Sequence, residues 1–248
     1  METQHIVTSF DDDLKSLDLL IAQMGGLAES QLARAVECLV NRDNDLAEQV
    51  RERDKALDAL ESEVHMKAVS LLSLRQPMAD DLRMVISAFQ TASALERIGD
   101  YARNIAKRST VLSQMPAMSG PIGSIARMSN LVQAMITDVL DAWQARDIKM
   151  ADDIRRRDLE VDQLNTGLFR ELLTYMMEDP RNITACTHLL FIAKNIERIG
   201  DHVTNIAEHI YMVVTGEAPE EDRPKQDRSS TTMVSSQTSP NDDERNSP

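Results

Sequence analysis

Residues 42–60 read RDNDLAEQVRERDKALDAL, and residues 146–164 read RDIKMADDIRRRDLEVDQL, the same pattern displaced by 104 positions. Eight of the nineteen aligned residues are identical, where unrelated segments would share about one. Further along, ERIGD at 96–100 and NIA at 104–106 return at 197–201 and 205–207, a displacement of 101. The body of the chain is therefore an internal duplication.

Apolar residues recur in both halves at three- and four-residue spacing, which is typical of amphipathic helices. The first such stripe has one polar interruption, Gln31, and consists of Leu14, Leu17, Ile21, Met24, Ala28, Ala35 and Leu39. Aromatic residues make up only 3% of the chain, which disfavours sheet-rich folds. The breaks in the pattern predict six long helices, at about 8–41, 43–75, 78–114, 121–145, 148–178 and 181–215.

Short connections join these helices, so consecutive helices are expected to run antiparallel. Asp43 and Asp147 have the position of helix N-caps. Pro77 and Pro180 each follow a helix end and open the next arm of a hairpin. The sequence predicts an all-α fold of two tandem three-helix bundles, at residues 1–115 and 120–216.

Residues 217–248 differ in composition from the rest, with four of the eight prolines and three apolar residues. We expect a disordered, acidic tail here. With eight acidic and four basic residues it accounts for −4 of the net charge of −14, which leaves −10 for the body. An acidic body argues against nucleic acid or an anionic lipid surface as the main ligand and favours cations or basic partner surfaces.

Cys38 and Cys186 lie in apolar stripes without metal-type spacing, so both are predicted to be core residues. The N-terminus lacks the pattern of a signal peptide, and no run of about 18 apolar residues occurs. These features predict a cytoplasmic protein without direct membrane insertion.

Two pairs of carboxylates are placed level across the first predicted hairpin. Asp58 lies 19 residues before Pro77 and Glu96 lies 19 after it. Asp54 and Asp100 lie 23 residues before and after the same proline. Because residues equally far from an antiparallel turn stand side by side, these four acids are expected to meet.

The second half repeats the arrangement around Pro180. Asp162 lies 18 residues before it and Glu197 lies 17 after it, and Asp158 and Asp201 lie 22 before and 21 after. Carboxylates this close repel one another and raise each other's pKa unless a cation or a basic side chain joins them. Ligation by oxygen alone favours Mg, Mn or iron over zinc or copper.

Other polar residues follow the same helix stripes. Asn104 and Asn205 lie one turn beyond the repeated acids and are candidates for additional contacts around a metal. Glu61 and its counterpart Asn165 are further candidates. His65 is expected to be a packing or surface residue, because the second half has Phe at the equivalent position.

An alternative explanation is that neighbouring arginines neutralise the acids as interhelical ion pairs. The arginines beside the acids are Arg51, Arg53, Arg97, Arg155, Arg157 and Arg198.

Gly99 and Gly200 lie inside predicted helices. They suggest close approach of another backbone or of a bound group, although close packing alone also explains them.

The duplicated ERIGD and NIA segments, with the Asp-x-x-x-Asp pairs that precede them, resemble the PhoU family over about residues 5–215. The resemblance implies a two-repeat helical regulator of the bacterial phosphate-starvation response. It also implies multinuclear clusters of iron, manganese, magnesium or zinc. The implied ligands are Asp54, Asp58, Glu96 and Asp100 in the first cluster and Asp158, Asp162, Glu197 and Asp201 in the second.

The partners that the resemblance implies are the ATPase subunit of a phosphate ABC transporter and a sensor histidine kinase, reached at the inner face of the membrane. A homodimer is also expected. The sequence has no Gly-rich phosphate loop, no Ser-His-Asp elbow and no Cys-x-x-Cys, so no enzyme is predicted. A di-metal hydrolase or oxidase, or a purely structural bundle, stay open as alternatives.

Overall fold

The computed structural model describes the backbone of residues 2–219 and the side chains of residues 12–219, and this part of the chain consists of helices joined by short turns. The prediction of an all-α fold with six helices is confirmed, with bounds within two residues of those predicted except at the start of the first helix. The predicted disordered tail, from residue 220 onward, lies outside the described residues. The helices are α1 (Glu2–Asn41), α2 (Asn44–Arg75), α3 (Asp80–Leu112), α4 (Ser119–Ala145), α5 (Ile148–Glu178) and α6 (Ile183–Thr215), the last preceded by a 3-10 turn (Pro180–Asn182).

Both predicted N-caps are present. The Asp43 carboxylate accepts a hydrogen bond of 2.9 Å from the backbone N–H of Leu46. The Asp147 carboxylate accepts bonds of 2.8 and 3.1 Å from the N–H groups of Lys149 and Met150. Each cap satisfies helix donors that would otherwise be unpaired, which stabilises a helix by about 1 kcal/mol.

The residue before each cap is an arginine in the left-handed conformation, with φ of 58° at Arg42 and 54° at Arg146. This conformation costs a residue with a side chain about 1 kcal/mol. The two guanidinium groups offset that cost by bonding backbone carbonyls: Arg42 donates to Ser113 and Met115, and Arg146 donates to Trp143. The duplication therefore extends to the geometry of the turns.

Each half folds as three helices around an apolar centre, and the apolar residues of both halves form one continuous core. The stripe of α1 is buried as predicted from Leu17 to Leu39, and Gln31 is buried with it at 3% exposure. Cys38 and Cys186 are free, buried thiols, which confirms them as core residues. Burial raises the pKa of Cys38 to about 11, which keeps this thiol protonated and unreactive.

The two halves pack directly on each other, α3 against α6 and α1 against α4. Along the first contact Thr91 Oγ1 lies 3.0 Å from His209 Nδ1, and the Arg108 guanidinium lies 4.2 Å from the centre of the Phe191 ring. The N-terminal part of α3 thus contacts the C-terminal part of α6, and the reverse, so the two helices run antiparallel. We call this contact the α3–α6 seam.

The α1–α4 contact is also antiparallel and is closely packed. The Trp143 indole N–H donates to Asp18 at 2.9 Å, and Arg146 bonds both oxygens of the same carboxylate. Nearby, Gly25 lies directly against the side chain of Leu140. Among the helices of the described region, none combines the length and the apolarity that a membrane span requires.

Candidate metal centre

The pairing of α2 with α3 follows the register that the distances from Pro77 predict. Ser93 Oγ donates to Glu61 Oε1 at 2.9 Å, and these residues lie 16 positions after and before the proline. The His65 ring stacks on the Phe89 ring with centroids 3.8 Å apart, each 12 positions from it. His65 is therefore held by ring stacking, in agreement with a packing role.

Asp54 lies deepest in the first cluster, with 2% of its surface exposed. Burial is the main cause that raises its pKa, and the negative charges of Asp58 and Asp100 raise it further. The Arg103 guanidinium acts in the opposite direction. The structure thus brings Asp54, Asp58 and Asp100 into electrostatic contact across the hairpin.

Glu96 completes the cluster. Its pKa is raised to about 7, mainly by burial and then by the charges of Asp100, Glu61 and Asp58, while Arg97 lowers it. Glu61, expected from sequence only as an outer contact, therefore lies close enough to Glu96 to influence it. A carboxyl group that titrates near neutral pH is characteristic of acids crowded into one partly buried site.

Arg103 bridges the two helices within this cluster. It donates from Nη1 to Asp54 Oδ2, and its Nη2 lies 2.7 Å from Asp100 Oδ1. Arg103 was not identified from the sequence. One signal was available: Arg103 lies between two segments that repeat in the second half, yet its equivalent there is Thr204, so the arginine is specific to the first half. Thr204 instead donates to the backbone carbonyl of Asp201, so this position carries no positive charge in the second half.

The arginines predicted as alternative partners of the acids differ in what they contact. Arg97 lies 3.7 Å from Asp100 and 3.8 Å from Glu96, so together with Arg103 it supports the ion-pair explanation for the first cluster. Other contacts join Arg51 to Glu48, Arg155 to Asp152 and Glu208, Arg157 to Asp138, and Arg198 to the Tyr101 ring.

The second cluster is more deeply buried than the first. Asp158, Asp162 and Glu197 are 1%, 4% and 6% exposed, and Asp201 is half-buried. Lys194 Nζ lies 2.8 Å from Glu197 Oε1, which supplies one positive charge.

Gly99 and Gly200 have the same position in the two halves. A Cβ on Gly200 would lie 3.3 Å from Asp158 Oδ1, and one on Gly99 would lie 3.4 Å from Asp54 Oδ1. In both halves a buried carboxylate therefore rests against the glycine backbone. This agrees with the close approach expected from sequence. At Gly99 the nearest group is the Leu57 side chain, 2.3 Å from the same point, so close packing also requires the glycine.

The remaining candidates lie at the edges of the two clusters. Asn165 is buried at 4% exposure on α5, whereas Asn104 and Asn205 are half-buried on α3 and α6. Whether these amides contact a metal stays a prediction.

The donor set of the first cluster, four carboxylates on two adjacent helices, fits a hard divalent cation. In the conformation described, no three His, Cys, Asp or Glu side chains between residues 12 and 219 converge closely enough to chelate an ion. Arg103 takes the place between Asp54 and Asp100. Its side chain is 41% exposed, whereas that of Asp54 is 3% exposed.

The PhoU domain family matches two regions of the chain, residues 21–109 and 125–210, one in each half of the duplication. The chain belongs to the PhoU family. The resemblance inferred from the repeated motifs is thereby confirmed. Both matched regions include the acidic residues of one cluster.

PhoU relatives match almost the whole chain. The "phosphate-specific transport system accessory protein PhoU homolog" of Caulobacter vibrioides is 50% identical over 225 residues, which cover 91% of this chain and 98% of that protein. The PhoU protein of Escherichia coli, named in the same terms, is 40% identical and covers 86% and 88%. These relatives are named as accessory proteins, not as enzymes.

Solved PhoU structures share the fold. The crystal structure of PhoU from Pseudomonas aeruginosa superposes with a TM-score of 0.81 at 36% identity, covering 84% of this chain and all of that one. The phosphate transport system regulatory protein PhoU from Streptococcus pneumoniae gives 0.78 at 29% identity. The helical arrangement described above is therefore that of PhoU proteins.

Proposed function

We propose that this chain is the accessory protein of a phosphate-specific transport system and represses the phosphate-starvation response when phosphate is plentiful. The observation that carries the proposal is the 50% identity to the Caulobacter vibrioides relative over 98% of that protein's length. Since the relatives are named as accessory proteins, regulation is a better-supported function than hydrolysis or oxidation.

Deletion of the gene in its host tests this role. In high phosphate the deletion strain is expected to express the phosphate transporter and alkaline phosphatase at raised levels, and a plasmid copy is expected to restore repression. Expression that stays unchanged in the deletion strain would overturn the proposal.

The two acidic clusters are proposed to bind divalent cations. Ligation by oxygen favours iron, manganese and magnesium, and zinc is a further candidate. The pKa of Asp54 and Glu96 is raised by burial and then by the neighbouring carboxylates, which supports this, because a cation stabilises the charged carboxylates and relieves their mutual repulsion. Asp54, Asp58, Glu96 and Asp100 would hold the first group of ions, and Asp158, Asp162, Glu197 and Asp201 the second.

A calorimetric titration of chelator-treated protein with Mn²⁺ tests metal binding. Asp100→Asn is expected to abolish binding at the first cluster and leave the second intact, whereas Glu52→Gln, on the exposed face of α2, is the matched control. Wild-type protein that binds no ion, and gains no thermal stability from Mn²⁺ or Fe²⁺, would instead favour a purely structural bundle.

The partners proposed are the ATPase subunit of the phosphate ABC transporter and the sensor histidine kinase, with the chain as an adaptor between them in the cytoplasm. Homodimerisation is part of the same proposal. Affinity purification of the tagged full chain from phosphate-replete cells is expected to recover both partners, and light scattering is expected to give twice the chain mass of 27.8 kDa. Recovery of neither partner would count against the adaptor role.

A further inference from the structure

Gln31 is an isolated polar residue in the apolar stripe of α1. It is 3% exposed, and neither its side-chain oxygen nor its side-chain nitrogen has a hydrogen-bond partner. An unpaired buried amide is costly and rare in folded proteins. It therefore requires an explanation beyond packing.

The second half provides a comparison at the same position. The residue equivalent to Gln31 is Met135, which is fully buried in the matching place on α4. Methionine and glutamine have similar lengths, so the fold accommodates an apolar side chain here. Packing alone does not account for glutamine in the first half.

The Gln31 amide oxygen and the first acidic cluster both approach the backbone of Gly99. Its Oε1 and the Oδ1 atom of Asp54 lie 3.0 and 3.4 Å from the same point, the position that a Cβ on Gly99 would take. The other carboxylate oxygen, Oδ2, faces Arg103. Asp54 thus has Arg103 at Oδ2 and the Gly99 backbone, which Gln31 also approaches, near Oδ1.

We propose that Gln31 is a positioning residue of the first cluster, an inference that rests on the proposed binding of divalent cations. When Arg103 turns to solvent and leaves Oδ2 available to an ion, Oδ1 stays in the apolar interior, where a charged carboxylate needs a donor. A half-turn about the terminal torsion of Gln31 exchanges its amide oxygen and nitrogen beside Gly99, which lets the N–H donate to Oδ1. Methionine at position 135 cannot donate, so the two clusters differ in this respect.

Replacement of Gln31 by methionine, Gln31→Met, copies the second half and tests this role. Mn²⁺ binding at each cluster is measured separately by combining Gln31→Met with a second change. Asp201→Asn leaves only the first cluster able to bind, and Asp100→Asn leaves only the second. Mn²⁺ affinity is expected to fall about tenfold in the first background, as for other residues that orient metal ligands, and to stay unchanged in the second.

Thermal unfolding of metal-free protein separates positioning from a structural role. Gln31→Met is expected to raise the midpoint, because it removes an unpaired buried amide, while it weakens Mn²⁺ binding. A lowered midpoint with unchanged affinity would show that Gln31 is structural and overturn the inference. Wild-type protein that binds no Mn²⁺ would overturn the metal proposal and this inference together, whereas binding that Gln31→Met leaves unaltered would overturn this inference alone.

Discussion

Arg103 of α3 donates a hydrogen bond to the buried carboxylate of Asp54 on α2. The second half has Thr204 in place of the arginine and Asp158 in place of the acid. The duplication therefore kept the acid and changed the cation beside it, which makes Arg103 the point at which the two clusters are expected to behave differently.

Replacement of Arg103 by threonine, as in the second half, is expected to destabilise the metal-free protein. Asp54 would lose its charged partner inside the fold, which costs about 1–3 kcal/mol. Urea unfolding in the presence of chelator measures this free energy. Arg97→Thr is the control, because that side chain is 60% exposed and surface ion pairs contribute less than about 1 kcal/mol. Equal stabilities for the two variants would contradict the prediction.

Replacement of Glu96 by glutamine is expected to change how stability depends on pH. The pKa of Glu96 is about 7 in the folded chain against 4.5 for an unperturbed glutamate. The folded state therefore holds this proton more tightly than the unfolded state, and stability is lost as pH rises from about 4.5 to 7. Glu96→Gln removes this loss of stability. The free energy of unfolding of the variant should therefore exceed that of the parent by up to about 3 kcal/mol at pH 8.

The two proteins should converge in stability near pH 4. Urea unfolding of metal-free protein between pH 4 and 8 measures the difference, with Glu52→Gln, an exposed change on α2, as the control. Parallel curves for Glu96→Gln and the parent would show that Glu96 titrates as an ordinary glutamate.

Two adjacent glycines of α1 should respond oppositely to alanine. A Cβ on Gly25 would lie 2.2 Å from Leu140 Cδ2, whereas a Cβ on Gly26 meets nothing within 4 Å. Gly26→Ala should stabilise the protein by about 0.5–1 kcal/mol through helix propensity. Gly25→Ala should destabilise it by about 1–3 kcal/mol, because the Leu140 side chain must shift from its packed position to make room. Thermal unfolding measures both, and stabilisation by Gly25→Ala would refute the close contact.

Replacement of Asp18 by alanine should loosen the α1–α4 contact. Asp18 accepts hydrogen bonds from Trp143 and Arg146, and loss of charge-assisted bonds of this kind costs about 1.5–3 kcal/mol. Trp143 is the single tryptophan, so its emission should shift to the red as water reaches the indole. Asp12→Ala, at an acid that is 77% exposed, should leave stability and emission unaltered.

The register of the first cluster could be predicted because it depends on distance from one turn, and the hairpin is regular from Pro77 to the acids. Arg103 and Gln31 could not be assigned roles, because each acts on a residue of another helix. Which side chain of α1 or α3 reaches Asp54 depends on the rotation of those helices about their axes, and this is set by packing. The α3–α6 seam was missed for the same reason: periodicity identifies a buried face without identifying its partner.

Tyr101 and His202 are equivalent residues of the two repeats, 101 positions apart, and they face each other across the seam with ring centroids 5.7 Å apart. The contacts on either side of this pair are nearly reciprocal, Thr91 with His209 and Arg108 with Phe191, as expected around a pseudo-twofold axis. The seam therefore has the geometry of an isologous dimer interface within one chain. Each half packs on the other as one subunit of a dimer packs on its partner. The connection between α3 and α4 keeps the two halves at high effective concentration, and the contacts of the seam hold them together.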